Sequence, residues 1–578
     1  MTEPGASGRP GKAAFFSTRA RTFLPVGIAA SLAAHGAAVQ WVARQDPVRP
    51  RSDLIFLLAE TMFLTVALVC AAALWEFTID PNRERAPEYR LRLPVWLPFA
   101  AYVLLVALTM AVTRQFPSGD ESAYQFQARI FGSGRLAAEA LPGTERDRMG
   151  DFFFMHHVTV NERWFSLFFS GWPALLTLAR LARIDAFLNP LLGLLYLLIL
   201  YRLARAMFGD VAAWCAAGIY AASPSVLFLS AGYMSEPAAA ICVLLAFGCW
   251  WGSRRSDDLR YPAGFVASMG LLALIRPYSA VCAFAVLGPA AIRAMARSKR
   301  RLGVLVLLGG LVGAAVLGWH GYYQAEQMGS PFRTGYAQRY DQLYRLSPSA
   351  LLHNARTLLP RSTLQAAFYS AALVVPLAVL GLCAERRRRD VLLVLVALGA
   401  VFVIGHLPVS QNSGIYYGER YYSGVFFAAA LLAGTGLARV LEVAAGRRSF
   451  VMLLAIVLMT AQGVHLSLFY WRAYHRFAIP ARIRAAVLAE RAADAVVFYP
   501  AVLHYDLSGR RVNGRDLNDN AVDWRHAARF YMVDPGSERR NRITELLGRK
   551  RWVLYGYDVT RDNVTIVQGC AGDPCGQD

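Results

Sequence analysis

Charge is scarce in this chain. Only 17% of its 578 residues are Asp, Glu, Lys or Arg, where a soluble globular chain carries about 25%. With 56% hydrophobic residues and a mean hydropathy of +0.35, that shortage excludes a disordered protein and argues against a soluble enzyme of this size. Lysine is almost missing. Lys12, Lys299 and Lys550 are the three present, and arginine carries nearly all of the basic side of a +21 net charge. A pI near 9.9 would suit a nucleic-acid surface. The basic residues, however, fall in short clusters between long apolar runs, the positive-inside pattern of a polytopic membrane protein, so no nucleic-acid partner is expected. Cysteine is sparse too. Six of the eight lie in apolar runs, as small buried hydrophobes do. Cys570 and Cys575 stand apart in the polar tail, where a disulfide or an oxidisable tail both remain open. No CxxC pair occurs, and no internal repeat of the kind many transporters carry is visible.

What the chain does have is apolar length. A span needs about 20 mostly apolar residues. Thirteen stretches qualify: 23–43, 54–75, 94–113, 184–202, 209–229, 236–252, 261–275, 277–293, 302–322, 364–384, 391–408, 423–441 and 450–470. The first has no small-residue cleavage site before Arg44 and does not read as a signal peptide. With a cytoplasmic N-terminus and thirteen spans, every strong basic cluster, such as Arg297 to Arg301 and Arg386 to Arg389, falls inside. Residues 164–182 are interrupted by Gly171-Trp172-Pro173 and are expected to lie along or dip into the outer face. The organisation that follows is a cytoplasmic tail (1–22), two extra spans with their loop (23–93), a transmembrane domain (94–470) with a long outer loop (114–183), and an extracytoplasmic domain (471–578). That last part reads as α/β. Its strands are expected at 495–499 and 551–557, with a helix at 543–550 before the second strand.

Chemistry-bearing residues gather in the loops assigned to the outside. Asp120-Glu121 follows the third span directly, at the start of an amphipathic segment, 122–138. Carboxylates so close to hydrocarbon are costly to keep ionised, and their pKa values are movable, as a general base requires. A plainer reading is a helix N-terminus, where the dipole welcomes acids. Glu236, in Tyr233-Met-Ser-Glu236-Pro237, stands at the end of another span, with Pro237 suited to a first helical turn. Arg276-Pro277 interrupts an apolar stretch, and an arginine there points to an anionic partner. The run Tyr416-Tyr417-Gly418-Glu419-Arg420-Tyr421-Tyr422 sits at the mouth of the twelfth span; its aromatics also fit an interfacial belt. His156 and His157 are adjacent in the first loop, a poor arrangement for sharing one ion.

In order and spacing these elements resemble the GT-C superfamily of polytopic glycosyltransferases, in particular the protein O-mannosyltransferases and aminoarabinose transferases. The resemblance runs from about residue 94 to 441: Asp120-Glu121, Phe165-Ser166, Gly171-Trp172-Pro173, Asn189-Pro190, Ser223-Pro224, Ser235-Glu236-Pro237, Arg276-Pro277, Gly329-Ser-Pro331-Phe332 and Gly418-Glu419-Arg420-Tyr421. The two extra N-terminal spans depart from the simple pattern. The resemblance implies a polyprenyl-phosphate-linked sugar as donor and transfer with inversion outside the cytoplasmic membrane, to a lipid, glycan or protein acceptor. Asp120 would be the base and Glu121 would orient the acceptor. Arg276, Arg420 and, third, Arg339 would hold the donor phosphate. Glu236, Tyr233 and Glu419 would shape the acceptor site or hold a cation. Some relatives use a divalent metal ion and others none, and no ligand set here decides. A polytopic transporter or lipid-linked sugar flippase would share the spans, but it has no need of an acidic pair on a long outer loop.

Overall fold

The computed structural model describes residues from Pro94 to Ala571, apart from internal stretches that are chiefly 142–156, 340–346, 357–373, 409–419, 445–461, 506–510 and 514–519. The expected spans 23–43 and 54–75, most of 450–470, and Glu419, His156 and Cys575 lie outside the described residues.

Helix α1 (Trp96–Thr113) enters a short break, and α2 (Gly119–Gly132) follows at once. Three short strands come next, β1 (Ala138–Glu139), β2 (His157–Val160) and β3 (Arg163–Ser166), forming an antiparallel sheet in the order β1-β3-β2. Gln127 of α2 ties this sheet down. Its Oε1 accepts from the Ser166 N–H at 3.0 Å and its Nε2 donates to the Leu136 carbonyl at 2.9 Å. Helix α3 (Gly171–Leu181) has 11 residues, about half the length a crossing needs, as the Gly-Trp-Pro interruption leads one to expect, and it packs on α2.

The apolar bundle then runs through α4 (Asp185–Phe208), α5 (Asp210–Ala221), α6 (Pro224–Ala231), α7 (Glu236–Ser253), α8 (Arg260–Ile275), α9 (Pro277–Met295), α10 (Lys299–Met328), the short α11 (Gly335–Arg339), α12 (Val374–Ala384), α13 (Arg389–Gly405) and α14 (Phe426–Ala444), the last entered through a 3-10 turn at Arg420–Val425. Among the described residues six helices are long and apolar enough to cross a membrane, or seven if α5 and α6 form one span. The chain is thus a polytopic, mostly helical membrane protein with a small β-containing C-terminal domain. The expected span 209–229 is not a single rod. It bends by 60° between α5 and α6, because Pro224 lacks the N–H to continue α5 and starts a new helix instead.

Proline also shapes α4. Pro190 has no N–H, which leaves the Ala186 carbonyl without its helical donor. The Gln115 side chain supplies one at 3.1 Å, as an apolar setting requires. Two glycines set the closest helix crossing. A Cβ on Gly381 of α12 would fall 2.0 Å from the Leu432 carbonyl oxygen, and one on Gly436 of α14 equally close to that of Leu377. Small residues allow that approach where bilayer lipid offers no hydrophobic drive between helices.

After a π-helical turn at Tyr474–Ala478, α15 (Ile479–Leu488) leads out of the bundle. The C-terminal domain has a four-stranded sheet of β4 (Ala495–Tyr499), β7 (Arg529–Val533), β8 (Arg551–Asp558) and β9 (Asn563–Ala571), in the order β7-β4-β8-β9. A separate pair, β5 (Val502–Tyr505) and β6 (Arg511–Asn513), stands beside it. β4 pairs parallel with both neighbours and is buried along its whole length, which is why AVVFY reads as a continuous apolar run. The helix before β8 is α16 (Ser537–Leu546), about one and a half turns earlier than the expected 543–550. Gly548, at φ 63°, falls in the turn that ends it. Arg525 of this domain pairs with Glu139 of β1.

Candidate functional site

Each charged residue of the site stands where a helix begins or breaks. Arg276 precedes a proline, and that proline drives its backbone to φ −144°, ψ 82° between α8 and α9. Asp120 and Glu121 occupy the first turn of α2, Glu236 the first turn of α7, and Arg420 the start of the 3-10 turn. Four elements remote in sequence therefore bring two acids and two arginines together.

The four form one network. Arg276 Nη1 lies 2.5 Å from Glu236 Oε1 and donates to Ser235 Oγ at 3.2 Å. Arg420 Nη1 lies 2.5 Å from Asp120 Oδ2, and its Nε is 3.7 Å from the same Glu236 oxygen. Glu236 is almost wholly buried, while Asp120, Arg276 and Arg420 keep between 12% and 18% of their side-chain surface open. The formal charges cancel. Both guanidiniums also lie near the Tyr421 ring, 5.7 Å (Arg276) and 5.6 Å (Arg420) from its centroid, within cation–π range.

Asp120, Arg276 and Arg420 line a cavity of about 570 Å³. Tyr124, Phe168, Phe169, Tyr278, Tyr336 and Tyr421 give it aromatic walls, with Ser279, Thr334 and His406 among its polar atoms. Burial keeps the hydroxyls of Tyr124 and Tyr336 protonated well above their usual range. That size and this mixture of apolar wall and few polar groups are what a small-molecule site needs.

The remaining candidates fall elsewhere. Glu121 is buried and is not part of the cavity's lining, and it accepts two backbone hydrogen bonds: from the Ser118 N–H at 2.7 Å and the Tyr233 N–H at 2.6 Å. Gly232 is the only residue type that fits beside it, since a Cβ there would meet Glu121 Oε1 at 2.2 Å. Tyr233 takes part through its backbone. Its carbonyl accepts from Trp172 Nε1 at 2.8 Å. Burial, then Asp185 and Glu121, push its hydroxyl up to about 12. Asn189 donates to the carbonyls of Gly232 and Met234 at 2.8 and 2.9 Å, so loop 232–235 is clamped from three sides. Arg339 closes α11, which follows the lining residue Thr334.

Several lining residues, Tyr278, Tyr336 and His406 among them, have no counterpart in the sequence reading. His406 follows α13, and its ring stacks on Tyr421 at 5.0 Å and 18°, with Tyr278 edge-on at 5.2 Å. A lone histidine at the end of an apolar run gives no local signal; its nearness to Arg420 in sequence was the only one present. Among the described residues no group of three or more His, Cys, Asp or Glu could hold a metal ion. Asp120 and Glu236 are each engaged by a guanidinium, a donor set better suited to an anionic ligand than to a cation.

Residues 184–319 match the family model of dolichyl-phosphate-mannose-protein mannosyltransferases. The resemblance to GT-C glycosyltransferases is borne out over that segment. No curated protein matches the chain. Among solved structures it is similar to ArnT from Cupriavidus metallidurans bound to undecaprenyl phosphate, at 12% identity and a TM-score of 0.48 over 80% of this chain and 93% of that one. It is similar also to the Archaeoglobus fulgidus oligosaccharyltransferase, at 12% identity and a TM-score of 0.40 over 79% and 68%. The arabinofuranosyltransferase AftD from Mycobacteria gives 16% identity and a TM-score of 0.42 over 80% and 35%.

Proposed function

We propose that this chain is a membrane glycosyltransferase. It moves a sugar from a polyprenyl-phosphate-linked donor to a hydroxyl of a lipid, glycan or protein acceptor at the outer face of the cytoplasmic membrane, with inversion. The observation that carries the reading is the meeting of Arg276, Arg420 and Asp120 on one aromatic-walled cavity at the helix ends. The family match over 184–319 supports the same reaction class.

In this reading the leaving phosphate lies against the two guanidiniums, which can fork onto its oxygens and stabilise the charge that develops as the sugar departs. Arg420 can serve the phosphate only by loosening its hold on Asp120, so donor binding leaves that carboxylate able to act as a base. Asp120 then takes the proton of the acceptor hydroxyl. The acceptor oxygen bonds to the anomeric carbon from the side opposite the phosphate, and the bond to phosphate breaks with its electron pair on phosphate oxygen. Glu236 holds Arg276 in place from behind, and Glu121 fixes the loop that carries Glu236. Arg339 and the stretch around Glu419 complete the donor and acceptor sides in this scheme.

The test is sugar transfer by the purified protein in detergent from undecaprenyl-phosphate-linked sugars to lipid and glycan acceptors. Wild type should transfer. Asp120→Asn should insert normally and bind the donor, but lose turnover by about 10²–10⁴-fold, the usual share of a general base. Transport of the intact donor across vesicles without any transfer would sink the reading in favour of a flippase.

A further inference from the structure

His406 lines the cavity but has no part in the scheme above. Its Nδ1 lies 2.6 Å from the Phe402 carbonyl oxygen. A carbonyl can only accept, so Nδ1 carries the hydrogen. In the neutral ring the proton-free atom is then Nε2, a hydrogen-bond acceptor. Among the described residues Nε2 meets no partner. The ring cannot swing to find one, because it is held between the face of Tyr421 and the edges of Tyr278 and Tyr422, at 5.0, 5.2 and 6.0 Å. Tyr278 is itself fixed by a hydrogen bond from its hydroxyl to the Gly405 carbonyl. A neutral acceptor, locked in one tautomer and one orientation, is thus built into the aromatic part of the cavity wall. It shares the Tyr421 ring with Arg276 and Arg420.

We infer that His406 Nε2 accepts a hydrogen bond from one hydroxyl of the donor sugar and selects donors that carry it. This rests on the glycosyl-transfer reading and adds a specificity element to it. A sugar joined to a phosphate on the two guanidiniums lies next to Tyr421, and Nε2 is an uncharged acceptor on that ring's surroundings, distinct from the Asp120 carboxylate that Arg420 holds. The tight Nδ1 bond makes the distinction sharp. A hydroxyl satisfies Nε2, whereas a deoxy carbon leaves it unpaired in a largely dry site, which is where analogues are rejected most strongly.

The experiment uses the full-length protein with undecaprenyl-phosphate-linked hexoses and pentoses and their monodeoxy analogues, against wild type, His406→Phe and His406→Gln. Phe keeps the stacked ring and removes the acceptor; Gln restores an acceptor oxygen. For wild type, one monodeoxy analogue should lose roughly 10- to 100-fold in kcat/KM relative to its parent sugar. His406→Phe should lose a similar factor on the parent and nothing more on that analogue, and His406→Gln should recover part of the difference. A purely structural histidine would lower kcat/KM equally on every donor and leave the discrimination intact. That result, or wild type treating all deoxy donors alike, overturns the assignment. Absence of transfer from any donor by wild type instead refutes the glycosyltransferase reading, and this inference falls with it.

Discussion

Replacing Glu236 by glutamine unbalances the site by one charge while hardly changing its volume. In the wild type two carboxylates face two guanidiniums, and Glu236 serves both, at 2.5 Å from Arg276 and 3.7 Å from Arg420. Removing one partner of a buried pair typically costs about 3–5 kcal/mol. Glutamine retains an acceptor oxygen and the arginines keep some contact with solvent, so the expected loss is at the lower end, about 3 kcal/mol. The surplus positive charge should make the cluster a better anion site, and any anion that binds only the folded form stabilises it by mass action, by about 2.7 kcal/mol at a hundred times its dissociation constant. Thermal unfolding followed by tryptophan fluorescence in detergent, in phosphate and in chloride of equal ionic strength, reads both effects. Glu236→Gln should unfold at lower temperature in chloride and gain more from phosphate than wild type does. If the variant is as stable as wild type, or phosphate raises both midpoints equally, the four-charge network does not hold the site together.

Glu121→Gln turns one of two accepting oxygens into a donor facing a backbone N–H, and should cost about 2–4 kcal/mol in unfolding measurements; full stability with a turnover loss matching Asp120→Asn would show that Glu121 works in the cavity instead. Arg276→Lys keeps a charge but not the planar fork, and should weaken binding of undecaprenyl phosphate in a titration while leaving acceptor affinity unchanged; equal donor affinity counts against its phosphate role. Gly436→Ala places a methyl against the Leu377 carbonyl and should lower the yield of folded protein on size-exclusion chromatography, whereas Gly399→Ala, with nothing within 4 Å of the added carbon, should not.

Hydropathy made most of the bundle legible, because a lipid-facing helix needs its apolar residues in one unbroken run whatever it packs against. Pro237 was equally readable as a helix start, since its effect is local, whereas the break at Pro224 lay hidden inside the expected span 209–229. What escaped was everything decided by contact across the chain. The sequence placed Tyr233 among residues expected to touch substrate, yet its two hydrogen bonds are made by backbone atoms that every residue type possesses. It offered Arg420 and Asp120 as separate phosphate and base candidates; that they hold each other depends on a distance no spacing reveals. His406 escaped because its function-bearing feature, a fixed tautomer, is set by the carbonyl of Phe402 and the rings around it. In the C-terminal domain two of the three parallel strands, β4 and β8, were visible in the sequence, while β7 was not and the boundary of α16 was set by glycines at positive φ.

The pairing of Asp120 with Arg420 also orders events on the ribosome. The two residues are 300 positions apart. At about 5–20 residues per second, the aspartate emerges roughly 15–60 s before the arginine that neutralises it. Glu236 and Arg276, only 40 positions apart, meet early and start the cluster with no net charge of their own. Through that interval Asp120 sits beside hydrocarbon without its counter-ion. A chain that ends before Arg420 lacks the guanidinium that pairs with Asp120.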